Sequence, residues 1–201
     1  MVLTEHQQDS LAELINIAFS RTAASLSDLI GQRVLLDAPR LELRPLDDLV
    51  LMLDSRVHEG DIATIHQIFS GPMAGDALLM LNYPDAVVLT NLLTNVPSQT
   101  SRLDTSAREV LTEVGNILLN SSLGVFGNLL QVHITFTVPR LHVEPLDMLL
   151  DSIVLVGDEA RYALVIVTSF SLRDSSVRGY LVLVLGVRSL DSLIQSVDTL
   201  G

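Results

Sequence analysis

The sequence predicts an α+β fold: an internally duplicated, pseudo-two-fold domain whose antiparallel sheet carries two long motif-bearing helices on one face. Three observations lead there. The chain repeats itself at an offset of 100 residues, and each copy opens with a long stretch of helical periodicity. Short apolar runs with strand character then follow in each copy. The prediction is a single domain over 1–201, made of repeats at about 5–95 and 105–200.

The repeat is read by laying 9–50 over 109–150 without a gap, which gives identity at 12 of 42 positions. Leu11, Glu13, Asn16, Ile17 and Leu29 meet Leu111, Glu113, Asn116, Ile117 and Leu129. Pro39-Arg40-Leu41 meets Pro139-Arg140-Leu141, Pro45-Leu46-Asp47 meets Pro145-Leu146-Asp147, and Leu49 meets Leu149. Chance alone gives about two or three identities at ordinary residue frequencies. Two copies are too few for a solenoid, so the expectation is a fused pair sharing one core.

Taken in order, Leu11, Leu14, Ile15, Ala18, Phe19, Leu26, Leu29 and Ile30 give a helix over roughly 8–31, with Gly31 as its stop. Strands are expected at Val34–Leu36, Glu42–Leu43, Asp61–Phe69 and Asp76–Leu81, and a helix at Asp85–Leu93. Val96–Asp104 is the connector. The second helix is expected over 105–130, capped by Asp104, Thr105 or Ser106, with Glu109 completing a capping box if Ser106 is the cap. Strands follow at His133–Val138, Ser152–Val156, Tyr162–Phe170 and Tyr180–Val187, then a helix at Leu190–Val197. Gly71–Gly75 and Ser171–Gly179 read as hairpin connections.

Composition narrows the function classes. Hydrophobic residues make up 48%, yet the richest apolar runs, Tyr162–Val167 and Tyr180–Val187, fall far short of the roughly 20 residues of a spanning helix. Neither a membrane segment nor a signal peptide is expected, and the predicted location is cytoplasmic. Without cysteine there is no disulfide, thiolate metal site or cysteine nucleophile. A net charge of −12 with no lysine argues against nucleic acid and anionic membranes as partners.

What faces away from the apolar stripe is more specific. Asp9, Glu13, Asn16 and Ser20 are spaced 4, 3 and 4 apart, which places them on one line of the helix surface. Glu109, Glu113, Asn116 and Asn120 repeat that line. Asparagine is disfavoured inside a helix because its amide competes for backbone hydrogen bonds. Its presence three residues after a glutamate in both copies calls for a reason.

These residues resemble the signature of the CheC/CheX/FliY group of chemotaxis phosphatases: Asp or Ser, three residues, Glu, two residues, Asn, then about 22 residues and Pro. Here it reads Asp9, Glu13, Asn16, Pro39 and again Glu109, Glu113, Asn116, Pro139, both Asn-to-Pro gaps holding 22 residues. The second copy departs at Glu109. Two complete motifs with nothing appended are most similar to CheC. The resemblance implies a phosphatase that hydrolyses the aspartyl phosphate of a CheY-like response regulator, with Asn16 and Asn116 positioning the attacking water. Glu13 and Glu113 then dock the receiver's lysine, and Asp9, Glu109, Pro39 and Pro139 support the motif. No cofactor of its own is implied, since Mg²⁺ sits on the receiver substrate. The alternative is a non-catalytic adaptor binding the deamidase CheD or a flagellar switch component.

Other chemistry-bearing residues read as structural. His58, Glu59, Asp61 and His66 match no established metal spacing. His133 and His142 read as packing or surface residues within strand-like segments, and Gly71–Gly75 as a turn rather than a phosphate loop.

Overall fold

The computed structural model describes residues 3–37, 40–49, 53, 60–94, 102–129, 131–154, 161–172 and 175–199. Helix α1 (Glu5–Ile30) starts three residues earlier than its apolar pattern suggests. Thr4 and Gln7 form a reciprocal capping box there: Gln7 N–H donates to Thr4 Oγ1 at 3.3 Å, and Thr4 N–H to Gln7 Oε1 at 3.0 Å. The helix stops at Gly31, whose φ of 67° is the left-handed cap geometry that glycine adopts without strain. Strands β1 (Val34–Leu36) and β2 (Arg40–Pro45), a 3-10 turn (Leu46–Asp48), the hairpin β3 (Ile62–Ser70) and β4 (Gly75–Asn82), and helix α2 (Tyr83–Thr94) follow. Helix α3 (Thr105–Leu129) then opens the second series, with β5 (Thr135–Phe136), β6 (Arg140–Glu144), α4 (Leu146–Val154), β7 (Arg161–Leu172), β8 (Ser175–Gly186) and α5 (Val187–Asp198). Asp104 caps α3, its carboxylate accepting the Ala107 N–H at 2.8 Å, so Glu109 takes no part in a capping box.

All eight strands form one sheet in the order β1-β7-β8-β4-β3-β5, with β2 also on β7 and β6 also on β3, and every pairing is antiparallel. The short strands cross over. β1 and β2 pair with β7 from the far end of the chain, whereas β5 and β6 pair back onto β3. Leu41 lies opposite Ile166 and Leu141 opposite Ile65, so the motif prolines' strands are threaded into the opposite part of the sheet. No turn chemistry announces such pairing.

Each central strand is buried on both faces, which explains its continuous apolar run. One face, carrying Ile65, Leu79, Leu164, Ile166, Leu181 and Leu183, packs under α1, α3, α2 and α5. The other, carrying Ile62, Leu78, Met80, Val165, Val182 and Tyr180, is covered by Leu46, Leu49 and Leu53 and by Leu146, Leu149 and Leu150 of α4. Long helices on one face and short cover on the other make the α+β architecture predicted from the sequence.

Three expectations are corrected. Ser152–Val154 belongs to helix α4 rather than a strand, and 155–156 lie outside the described residues. Leu146, Leu149 and Leu150 bury at helical spacing, a signal that the sequence itself carries. Of the expected strand His133–Val138 only Thr135–Phe136 pairs, and the longer neighbour is β6, which sits 100 residues after β2. The hairpin expected to turn across Ser171–Gly179 is far tighter, since β7 and β8 pair as far as Leu172 opposite Ser175. Pro39, His58 and Glu59 lie outside the described residues.

Candidate active site

The two stripes rest on helices held from below. In α1, Leu11, Leu14 and Ile15 are buried while Asp9 and Glu13 are exposed and Asn16 is half-buried. In α3, Leu111, Val114 and Gly115 are buried, Glu109 and Glu113 exposed, and Asn116 half-buried. The same sequence positions therefore receive the same exposure in both helices. The helices also touch one another. The buried hydroxyls of Thr22 and Ser122, 100 residues apart, lie 3.5 Å from each other, and Thr22 also donates to the Ala18 carbonyl at 2.8 Å.

Among the described residues, none of Asp9, Glu13, Glu109 or Glu113 forms an ion pair. Free carboxylates are common in a chain with 24 acidic and 12 basic residues. What distinguishes Glu13 and Glu113 is a carboxamide three residues on, at the edge of solvent. The pair combines an acceptor for a cationic partner with a neutral group that both accepts and donates to water. No thiol, metal cluster or paired nucleophile and base accompanies it: among the described residues no group of three or more His, Asp or Glu side chains could hold an ion.

The two asparagines differ in what holds them. Asn120 Nδ2 donates to Asn116 Oδ1 at 2.6 Å. At the corresponding place in α1, Ser20 turns its hydroxyl to the Asn16 backbone carbonyl at 2.8 Å, and among the described residues nothing hydrogen-bonds the Asn16 carboxamide. Comparison of positions 20 and 120 shows the substitution, but its consequence needs the geometry. The same holds for Gly115, whose place in α1 is taken by Ile15: a Cβ there would lie 2.6 Å from Ile65 Cγ1 on β3. Its lack of a side chain lets α3 settle onto the sheet immediately beside Asn116.

Pro139 is half-buried and stands in the link just before β6, on the sheet rather than on the motif helix. His66 belongs to a different cluster. Its Nε2 lies 2.9 Å from Asp76 Oδ1, Arg161 Nη1 lies 3.5 Å from Asp76 Oδ2, and the His66 ring centroid is 5.9 Å from that of His142. That cluster borders a cleft of about 640 Å³ whose other lining residues include Ile68, Val138 and Arg140. His133 is exposed and lies outside any strand, whereas His142 sits in β6 and lines that cleft.

No family model matches the chain. Among solved structures it superposes on FliY from Thermotoga maritima with a TM-score of 0.81 at 18% identity, over 100% of each chain. The fold is that of FliY. It is shared more distantly by a chain of the CheX–CheY–BeF3–Mg²⁺ complex from Borrelia burgdorferi, with a TM-score of 0.53 at 15% identity over 84% of this chain and 96% of that one. A chain of the FliG–FliM complex from H. pylori superposes at 0.68 and 13% identity, over 96% of this chain and 100% of that one. No described helix is long and apolar enough to cross a membrane.

Proposed function

We propose that the chain hydrolyses the aspartyl phosphate of a CheY-like response regulator, with Asn16 and Asn116 each holding the attacking water and Glu13 and Glu113 pairing with the receiver's lysine. The observation that carries this reading is the recurrence of Glu-x-x-Asn with the same exposure on two helices of the FliY fold. The CheX–CheY complex adds support, because its BeF3 stands in for a phosphoryl group and its Mg²⁺ is the ion such a receiver carries.

The chemistry asks little of the phosphatase. An acyl phosphate on a metal-bound receiver is already charge-neutralised, and what remains is to hold a water in line with phosphorus. The water oxygen bonds to phosphorus as the bond to the aspartyl oxygen breaks, releasing inorganic phosphate and the free carboxylate. The water's proton leaves with the phosphate or to solvent. A carboxamide orients that water through its oxygen and its N–H without taking the proton, so neither Asn needs a neighbouring base. An exposed glutamate one turn earlier, without an ion pair among the described residues, supplies the charge that a receiver lysine seeks.

The test is loss of phosphate from a phosphorylated CheY-like receiver with Mg²⁺, comparing the parent with an Asn16→Ala/Asn116→Ala variant. The reading requires the double variant to leave the receiver at its intrinsic rate. A second reading, an adaptor for a switch component or CheD, is suggested by the likeness to FliM, which in the H. pylori complex is bound with FliG. Tight binding of a switch protein with an unchanged receiver-phosphate lifetime would favour it.

A further inference from the structure

We infer that Asn120 is a positioning residue for Asn116, so that the two sites differ in how firmly their water-holding amide is set. The inference rests on the phosphatase reading and concerns the second site within it. Asn120 lies one helical turn beyond Asn116, both half-buried, and its Nδ2 reaches Asn116 Oδ1 at 2.6 Å. A bond of that length fixes rotation of the Asn116 amide about its Cβ–Cγ bond and sets which end faces out. The carbonyl oxygen keeps a second lone pair for water, and among the described residues neither N–H bond of Asn116 is taken.

The other end of Asn120 points the same way. Its Oδ1 is buried with no hydrogen-bond partner among the described residues. An orphaned buried acceptor is unfavourable, so Asn120 gains nothing from its own surroundings at that atom. The contact it does make is with the amide in the motif. Ser20, at the same place in α1, is too short to do this and is occupied with the Asn16 backbone carbonyl. Among the described residues nothing fixes the Asn16 amide before a substrate docks, whereas Asn116 is held beforehand by Asn120. Prior ordering of one side chain raises turnover several-fold without changing docking, because docking depends on Glu113.

The experiment measures steady-state dephosphorylation of a CheY-like receiver in an Asn16→Ala background, where only the second site remains. Asn120→Ser is expected to lower kcat about three- to tenfold with KM unchanged. Asn120→Asp keeps the shape but cannot donate to Asn116 Oδ1. It accepts instead from Asn116 Nδ2 and turns the amide over, so kcat should fall further. In the Asn116→Ala background, Ser20→Asn should raise kcat of the first site. Parent-like turnover in Asn120→Asp, or a change confined to KM, would overturn the inference. The phosphatase reading fails separately, if Asn16→Ala/Asn116→Ala dephosphorylates the receiver as fast as the parent. An activity-free measurement stands beside these: the Asn120 side-chain amide protons should exchange with solvent more slowly than those of Asn16, and equal exchange contradicts the bond.

Discussion

Gly115→Ala tests how the second site is built. Alanine normally stabilises an exposed helix interior relative to glycine by about 1 kcal/mol. Here the new Cβ would meet Ile65 Cγ1 at 2.6 Å and its Cβ and Cγ2 at 2.8 Å. Restoring an ordinary 3.4 Å contact requires a retreat of about 0.8 Å, the difference between 3.4 and 2.6. Ile65 cannot yield, because it is fully buried on a central strand and β-branched, with its Cβ among the clashing atoms. Overpacking of this kind costs about 1–3 kcal/mol, which exceeds the propensity gain over most of its range. The expected net loss, the overpacking cost less the propensity gain, is up to about 2 kcal/mol, or a fall in Tm of up to roughly 8 °C for a chain of this size. Urea or thermal unfolding measures it. Adding Ile65→Ala closes a double-mutant cycle, in which that substitution should be less damaging in the Gly115→Ala background than in the parent. Because Asn116 is the next residue, second-site turnover should fall as well. A Gly115→Ala protein that is more stable than the parent by the full helix-propensity increment would refute the close approach of α3 to β3.

Three further outcomes follow from other contacts. Charge reversal by Glu13→Lys/Glu113→Lys should raise KM for a phosphorylated receiver at least tenfold and weaken the salt dependence of association, while unfolding stays within about 0.5 kcal/mol of the parent because both side chains are exposed. Asp76→Asn should destabilise by about 1–3 kcal/mol in chemical unfolding, since it removes the charge that both His66 and Arg161 meet in a half-buried position. Thr22→Val alone should cost about 0.5–1.5 kcal/mol, and the pair Thr22→Val/Ser122→Ala less than the sum of the two singles, as the hydroxyls share one buried contact.

The stripes and their helices are legible because their signals are local. Leu11, Leu14 and Ile15 against Asp9, Glu13 and Asn16 state the inner and outer faces of α1 outright, and the offset of 100 residues carries that reading to α3. The sheet is legible as strands but not as pairings. That β2 joins β7 while β6 joins β3 depends on contacts over roughly 75 to 130 residues, for which the alternation pattern holds no information. Helix α4 escapes because Ser152 and Ile153 look strand-like in isolation, whereas the burial of Leu146, Leu149 and Leu150 follows a helix. The repeat also locates β6 at the place of β2, with Arg140-Leu141 beneath Arg40-Leu41, and strict use of it would place that strand. Within the site, Glu13, Asn16, Glu113 and Asn116 stand out by their spacing and by the motif it resembles. The bond from Asn120 and the close seat of Gly115 do not, because each is a matter of tenths of an ångström between side chain and neighbour.

The phosphate lifetime of a CheY-like receiver bears most directly on the central claim. With Mg²⁺ present, catalytic amounts of the parent protein should shorten that lifetime, each single Asn→Ala variant should retain part of the effect, and Asn16→Ala/Asn116→Ala should abolish it while still binding the receiver through Glu13 and Glu113. Undiminished acceleration by the folded double variant would contradict the assignment of Asn16 and Asn116 as the groups that hold the water.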